Sequence, residues 1–349
     1  MAYPANSTLR ERSFDRFSKA LRGEKTDAHA VFHFYTFPFY HACTNVNLKE
    51  YFSDPKVAFE TQLEGIEKLE RIGNLQPDFG INIETSALGG TVRYDKEGFM
   101  SVEKMQIETE EEVADIKLPN PWDTELGYKC LSQLQYFKEN CPDWCKVNAP
   151  TVTGPFTVAA QLRGITDFMC DTLEDPDFCE ALIEKSTEFC IMYMKEVEKI
   201  LGHIPHLFLS DDLTSFLQPG PFNEFVAPAY KALFKEFPDS QRWLHNDAQA
   251  WHLAESLENV GIQAWQYAKN LNPAELAEKT HNNITLFGGL DPLAFQKISA
   301  QETYDICINR LKEFNGNSRL VLGAGGTVNQ IPVENLLAIL KAADDYKIS

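Results

Sequence analysis

Eight short apolar runs, each followed by a stretch of helical spacing, constrain the fold of this chain more than any other feature. They read AVFHFYTF (30–37), FGINIET (79–85), KVNAPTV (146–152), HLFLSDD (206–212), RWLHND (242–247), IQAWQYA (262–268), ITLFGGLD (284–291) and RLVLGAGG (319–326). Strand alternating with helix calls for a parallel sheet. Eight such units within 349 residues favour a closed barrel over an open doubly wound sheet. No dinucleotide-type glycine fingerprint follows the first run, which weighs the same way. The intervening helices carry their own signals. SDPKVAFETQLEGIEKLERIG (53–73) opens on Ser-Asp-Pro, and DPDFCEALIEKSTEFCIMYMKEVEKILG (175–202) opens similarly and ends at Gly202. NPAELAEKT (272–280) and PVENLLAILKAADDY (332–346) repeat the pattern. Residues 89–109, GGTVRYDKEGFMSVEKMQIET, instead alternate around a Lys-Glu-Gly turn. The expected fold class is α/β: a single (β/α)8 TIM barrel over 1–349, with a β-hairpin insertion after strand two.

A barrel of this kind places its active site at the C-terminal ends of the strands, where the following loops converge. The run ends therefore nominate Tyr35 and Thr36, Glu84 and Thr85, Asn148 to Thr151, Ser210 with Asp211 and Asp212, and His245, Asn246 and Asp247. Gln266 and Tyr267, Asp291 and the GAGGT stretch (323–327) complete the set. Carboxylates, amides and one histidine make a polar mouth on an apolar barrel.

Composition narrows the function. Hydrophobic residues at 44%, with 12% aromatic, are ample for a packed core, which argues against disorder. Fifty-one acidic against 32 basic side chains give a net charge of −19, which repels phosphate backbones and disfavours nucleic acid as a partner. Most of that charge reads as solvated helix surface. No window holds eighteen consecutive apolar residues and the N-terminus lacks a signal-like apolar run, so a soluble cytoplasmic protein is expected. The eight cysteines are scattered and read as reduced thiols. The one close pair, CPDWC (141–145), has no second pair downstream to complete a zinc knuckle.

Five stretches resemble the uroporphyrinogen decarboxylase superfamily: GPFTVAAQLRG (154–164), DDLTSFLQPGPFNEFVAPAYK (211–231), LHND (244–247), FGGLDP (287–292) and GAGGTVNQIPVENLLAIL (323–340). The opening RERSFDRFSKALRGEKTDAHAVF (10–32) is similar to the superfamily's N-terminal segment. The resemblance runs from about residue 8 to 345 and implies either a decarboxylase or a corrinoid-linked methyltransferase. The decarboxylases hold their substrate's carboxylates with arginines after the first strand. Here that place reads HFYTFPFYHAC (33–43), with no arginine, and Phe34, Tyr35, Phe37, Phe39 and Tyr40 cannot neutralise a polycarboxylate. These aromatics suit a flat apolar ring, or ordinary core. The thiol-methylating branch carries a histidine, one residue, then a cysteine, with a second cysteine near the last glycine-rich strand. This chain has Asp247 at the first position and no cysteine near LGAGGT.

The ether-cleaving branch resembles the chain in another way. Its zinc pattern is glutamate, fourteen residues, glutamate, twenty residues, histidine, and Glu224 stands at the twenty-residue gap before His245. Position 209 is Leu, so the first glutamate is absent, and Asp212 in a shortened loop takes its place. Asp211, Glu84 and Asp247 remain alternatives for that ligand. The resemblance implies an aryl methyl ether O-demethylase of anaerobic one-carbon metabolism. Its cofactors would be Zn2+ on His245, Glu224, Asp212 and Asp247, and cobalamin on a separate corrinoid protein. Within it Glu84 is expected as a base near the phenol, or as a hydrogen-bond anchor for the hairpin, and Tyr35 as a wall of the mouth. Asn148 and Gln266 would bond substrate oxygens or satisfy strand ends. Gly325 and Gly326 would let a planar cofactor approach, or make a turn. Trp243, Trp251 and Trp265 read as core, as does His33. Another methyl donor or acceptor (a methylamine, a methyl halide or a thiol) is the rival reading, and a non-catalytic barrel subunit is the rival from another class.

Overall fold

In the computed structural model, residues 7–69, 73–103 and 107–348 are described. Eleven strands are assigned among them: β1 (Val31–Tyr35), β2 (Gly73–Leu75), β3 (Thr91–Tyr94), β4 (Met100–Glu103), β5 (Cys145–Val147), β6 (Val152–Thr153), β7 (His206–Ser210), β8 (Gln241–His245), β9 (Ala264–Tyr267), β10 (Thr285–Leu290) and β11 (Leu320–Val328). Seven form one parallel sheet in the order β1-β11-β10-β9-β8-β7-β6. A parallel pair, β2 with β5, is linked to it through the segment 145–153, which contains both β5 and β6. Strands β3 and β4 pair antiparallel around a turn in which Asp95 accepts from the Glu97 and Phe99 amides. Residues 104–106 of the expected hairpin range lie outside the described residues.

The main sheet is curled, and its interior contacts require this. β1 and β7 are five strands apart, which in a flat sheet means roughly 24 Å at about 4.8 Å per strand. Yet the Phe34 and Phe208 rings lie 5.0 Å apart. Phe34, Phe208, Trp243, Ala264, Phe287 and Val321, from six different strands, share one inner core. The first helix, Ser7–Arg22, closes its lower end by stacking Phe17 on Phe32 at 5.3 Å. From there an aromatic column (Phe17, Phe32, Phe287, Phe208, Phe34) rises to His245, whose ring is 5.3 Å from that of Phe34. Outside, helices pack a larger apolar core against the sheet.

Expected helices form where their start signals stand. Asp54 caps Pro55–Lys68, Asp175 caps Pro176–Leu201 with Gly202 at its end, and Asn272 caps Pro273–Lys279. Val333–Asp345 is the last helix. The second expected strand is a correction. FGINIET does not form one; strand two is the short β2, and Ile83–Ala87 is a single helical stretch burying Ile83, Glu84 and Thr85. A seven-residue apolar run fits either state, and here its first half is loop and its last three residues begin the buried helical stretch. Trp251 is also corrected: it is exposed, whereas Trp243 and Trp265 are buried. No helix among the described residues is long and apolar enough to cross a membrane.

Candidate metal centre

Parallel pairing puts the ends of β7, β8, β9 and β11 along one edge, and three titratable side chains meet there. The ligating atoms of Asp212, His245 and Asp247 all lie within 4.8 Å of one another. Asp212 opens the short turn Asp212–Phe216 that follows β7, and His245 is the last residue of β8. The two strand ends are tied together. Asp247 N donates to Asp212 Oδ1 at 3.0 Å, and Asn246 Nδ2 donates to Asp211 O at 3.0 Å and Thr214 Oγ1 at 3.1 Å. Asp212 Oδ2 is thereby turned towards His245 Nε2, 3.8 Å away. Burial raises the Asp212 carboxyl above its usual range, and the Asp247 carboxylate adds to the shift while His245 opposes it.

His245 is held from its other side. Its Nδ1 lies 2.7 Å from Gln266 Oε1, and Gln266 Nε2 donates to Ala324 O at 3.0 Å and Gly326 O at 2.8 Å. Gly326, at φ +146°, lies directly beside the cluster: a Cβ there would sit 2.8 Å from Asp247 Oδ2. Gly325 is bare for a different reason, since a Cβ would overlap the backbone of Lys269.

The neighbouring acids do structural work. Asp211 is fully buried and its Oδ1 accepts from Thr157 N at 3.0 Å and Thr157 Oγ1 at 2.6 Å. Its Oδ2 accepts from Tyr230 Oη at 3.0 Å. It thus caps the helix Pro155–Arg163, with Gly154 left bare because any Cβ would overlap the carboxylate. Burial pushes its carboxyl up to about 7 despite those donors. Glu84 is the same kind of group. Thr153 N and Oγ1 donate to its two oxygens at 3.0 and 2.6 Å, and burial pushes it up to about 7. It sits inside a helix, not at the strand end expected of it.

The other expected site residues lie apart from the cluster. Glu224 is exposed on a π-helical turn, Phe222–Val226, and is not one of the three clustered groups. Tyr35 and Asn148 line a cavity of about 560 Å³ that also touches Phe32, Phe34, Phe208 and Trp243. The Tyr35 ring packs 4.8 Å from that of Phe39. Sequence reading missed Asp78, which accepts from Phe37 N at 2.6 Å and Gly80 N at 2.9 Å and whose carboxyl is raised by burial. It is the first acid after β2, and misplacing that strand hid it. In CPDWC both thiols face backbone carbonyls, Cys141 Sγ towards Pro142 O at 3.7 Å and Cys145 Sγ towards Lys146 O at 3.8 Å.

The cluster fits a zinc ion. One imidazole nitrogen and two carboxylate oxygens belong to the donor set zinc accepts, and ligands about 2.05 Å from the ion stand roughly 3.3 Å apart. The 3.8 Å between Nε2 and Oδ2 is within a small side-chain rotation of that spacing, and the exposed Asp247 is free to turn inward. The donors are hard, with no thiolate among the three.

Comparison with known proteins adds ancestry. The pattern described as Uroporphyrinogen decarboxylase (URO-D) matches residues 12–346. A methylated-thiol--coenzyme M methyltransferase of Methanosarcina mazei is 28% identical over 203 residues, which is 57% of this chain and about half (53%) of the relative's length. Among solved structures, a methyltransferase from Methanosarcina mazei superposes with a TM-score of 0.80 at 16% identity, covering 97% of this chain and 98% of the other. A B12-independent methionine synthase from Shewanella sp. W3-18-1, in complex with selenomethionine, superposes at 0.55 with 12% identity, covering 83% and 86%. At these identities the two structures speak to the fold alone.

Proposed function

The chain belongs to the uroporphyrinogen decarboxylase family, and on that premise we propose that it is a zinc-dependent methyltransferase acting on a phenyl methyl ether. The acceptor would be cob(I)alamin carried by a separate corrinoid protein, in a cytoplasmic, anaerobic O-demethylase system. The reading takes the seven-stranded sheet and the β2–β5 pair as the wall of one (β/α)8 barrel, with the β3–β4 hairpin inserted after strand two. It treats the whole chain as a single domain.

The observation that carries the reading is the Asp212–His245–Asp247 cluster. These three residues would hold the ion, with Glu224 outside the set. Bound there, zinc supplies Lewis acidity to the ether oxygen, which makes phenolate a better leaving group. The chain's own residues do the rest. The aromatic column beneath His245 keeps water from the floor of the site and offers rings to a planar substrate. Tyr35 and Asn148 line the separate cavity on the β1 and β5 side, away from the three clustered groups. Gly326 leaves the backbone bare beside Asp247, where a planar cofactor would approach, whereas Gly325 makes room for the Lys269 backbone. Glu84, with both oxygens occupied by Thr153, holds the segment 152–153 in place of acting as a base. Positioning counts as much as polarisation, because the methyl carbon must lie in line between donor and acceptor. Ile81, Phe216, Trp251 and Leu293 are exposed on the segments after β2, β7, β8 and β10, and would offer apolar contacts to a docked partner.

A thiol substrate is the second reading, favoured by the relative named for methylated thiols. Against it stands the carboxylate at position 247, because thiol activation is best served by softer, thiolate-rich sites. The test is turnover with reduced corrinoid protein against a panel of a phenyl methyl ether, a methylamine, a methyl halide and a methylated thiol. Ether-only turnover, abolished by His245→Ala, is expected. Thiol-only turnover would install the second reading, and absence of turnover with every donor would leave a non-catalytic barrel subunit.

A further inference from the structure

We propose that Gln266 is a positioning residue whose amide fixes the tautomer of His245 and points a bare nitrogen lone pair at Asp212. The two carbonyl oxygens, Ala324 O and Gly326 O, accept only, so the Gln266 group facing them must be its NH2. Its Oε1 therefore faces the imidazole, and an amide oxygen accepts only. His245 Nδ1, 2.7 Å away, must carry the hydrogen. In the neutral ring the other nitrogen is then unprotonated.

Both residues are buried, and backbone pairing holds them rigidly together. His245 and Gln266 are register partners across β8 and β9, and Asn246 N donates to Gln266 O at 3.2 Å. In that neutral form Nε2 presents a lone pair to the Asp212 carboxylate across 3.8 Å. Two acceptors facing each other beyond hydrogen-bond length is the arrangement that a cation between them stabilises. Other sites use a hydrogen-bonded partner behind a ligating histidine in the same way, to fix tautomer and ring orientation. Here a glutamine does it, and its two donors anchor it to β11, the strand whose Gly326 also abuts Asp247. One side chain therefore links two of the three clustered groups.

The part of this inference that concerns metal affinity rests on the zinc site proposed above; the tautomer does not. The decisive measurement is the pair of imidazole ¹⁵N shifts of His245 in the metal-free parent protein at mildly alkaline pH, which needs no variant. Protonated Nδ1 with unprotonated Nε2 is expected, and protonated Nε2 would overturn the proposal. Gln266→Met keeps the volume and removes the acceptor, and should shift the ring towards the Nε2–H form. An unchanged tautomer in Gln266→Met would also overturn the proposal. Zinc competition against a chromophoric chelator supplies the second arm, where Gln266→Met should bind about 10- to 100-fold more weakly. Equal affinity would refute the link to the metal. If the parent has the expected tautomer but takes up no zinc, the positioning role stands and the zinc site falls.

Discussion

Glu84 offers a quantitative test of how this fold manages its buried acids. Its two carboxylate oxygens accept from Thr153 N and Oγ1, and burial moves its pKa from 4.5 to about 7. The folded state therefore binds this proton more tightly than the unfolded chain does. Its contribution to stability is full below pH 4.5 and is lost as the pH rises, the loss being complete above about 7. At about 1.4 kcal/mol per pH unit, the penalty for ionising Glu84 in place is on the order of 3 kcal/mol. Glu84→Gln removes the titration while keeping an oxygen for the Thr153 amide, and the Thr153 hydroxyl can rotate to accept. Urea unfolding followed by tryptophan fluorescence at pH about 5 and about 8 measures the effect. Asp211 titrates in both proteins and cancels in the comparison. The variant should match the parent near pH 5 and exceed it by up to about 3 kcal/mol near pH 8. Parallel pH profiles for the two proteins would refute the assignment of a buried, neutral Glu84.

Three further outcomes follow from the same geometry. Tyr230→Phe removes a donor to Asp211 Oδ2 and should cost about 1–3 kcal/mol in urea unfolding, with no loss meaning that this bond is not made. Phe34→Ala empties the top of the inner aromatic column, beneath His245, and should cost about 3–5 kcal/mol; a value under about 1 would mean that the sheet is not curled around it. Gly326→Ala puts a methyl against Asp247 and strains a backbone at φ +146°, so it should weaken zinc binding about tenfold or more by chelator competition. Unchanged affinity would remove Asp247 from the ligand set.

Much of this was legible in the residues because the later strands are buried on both faces. HLFLS, QRWLH, AWQY and TLFGGL read as near-continuous apolar runs bounded by turn residues, and the helices between them carry their own caps. Strand two was not legible. It is three residues long, GNL, while the more apolar FGINIET next to it forms a loop running into the helical stretch Ile83–Ala87. Spacing nominated Glu224, but linear spacing carries no information about a π-helical turn that leaves the side chain exposed. Asp212 and Asp247 were reachable as strand-end acids, and their meeting with His245 depends on β7 and β8 being adjacent. The role of Gln266 was also within reach, since parallel register places it opposite His245. Its anchors on β11 were not, because they come from a strand two places further along the sheet.

The central claim is that a metal ion sits on Asp212, His245 and Asp247. Elemental analysis of the purified, zinc-supplemented protein beside its Asp212→Ala, His245→Ala and Glu224→Ala variants tests it most directly. One zinc per chain is expected in the parent and in Glu224→Ala, with little or none in the other two. Zinc retained by His245→Ala, or absent from the supplemented parent, would contradict the account.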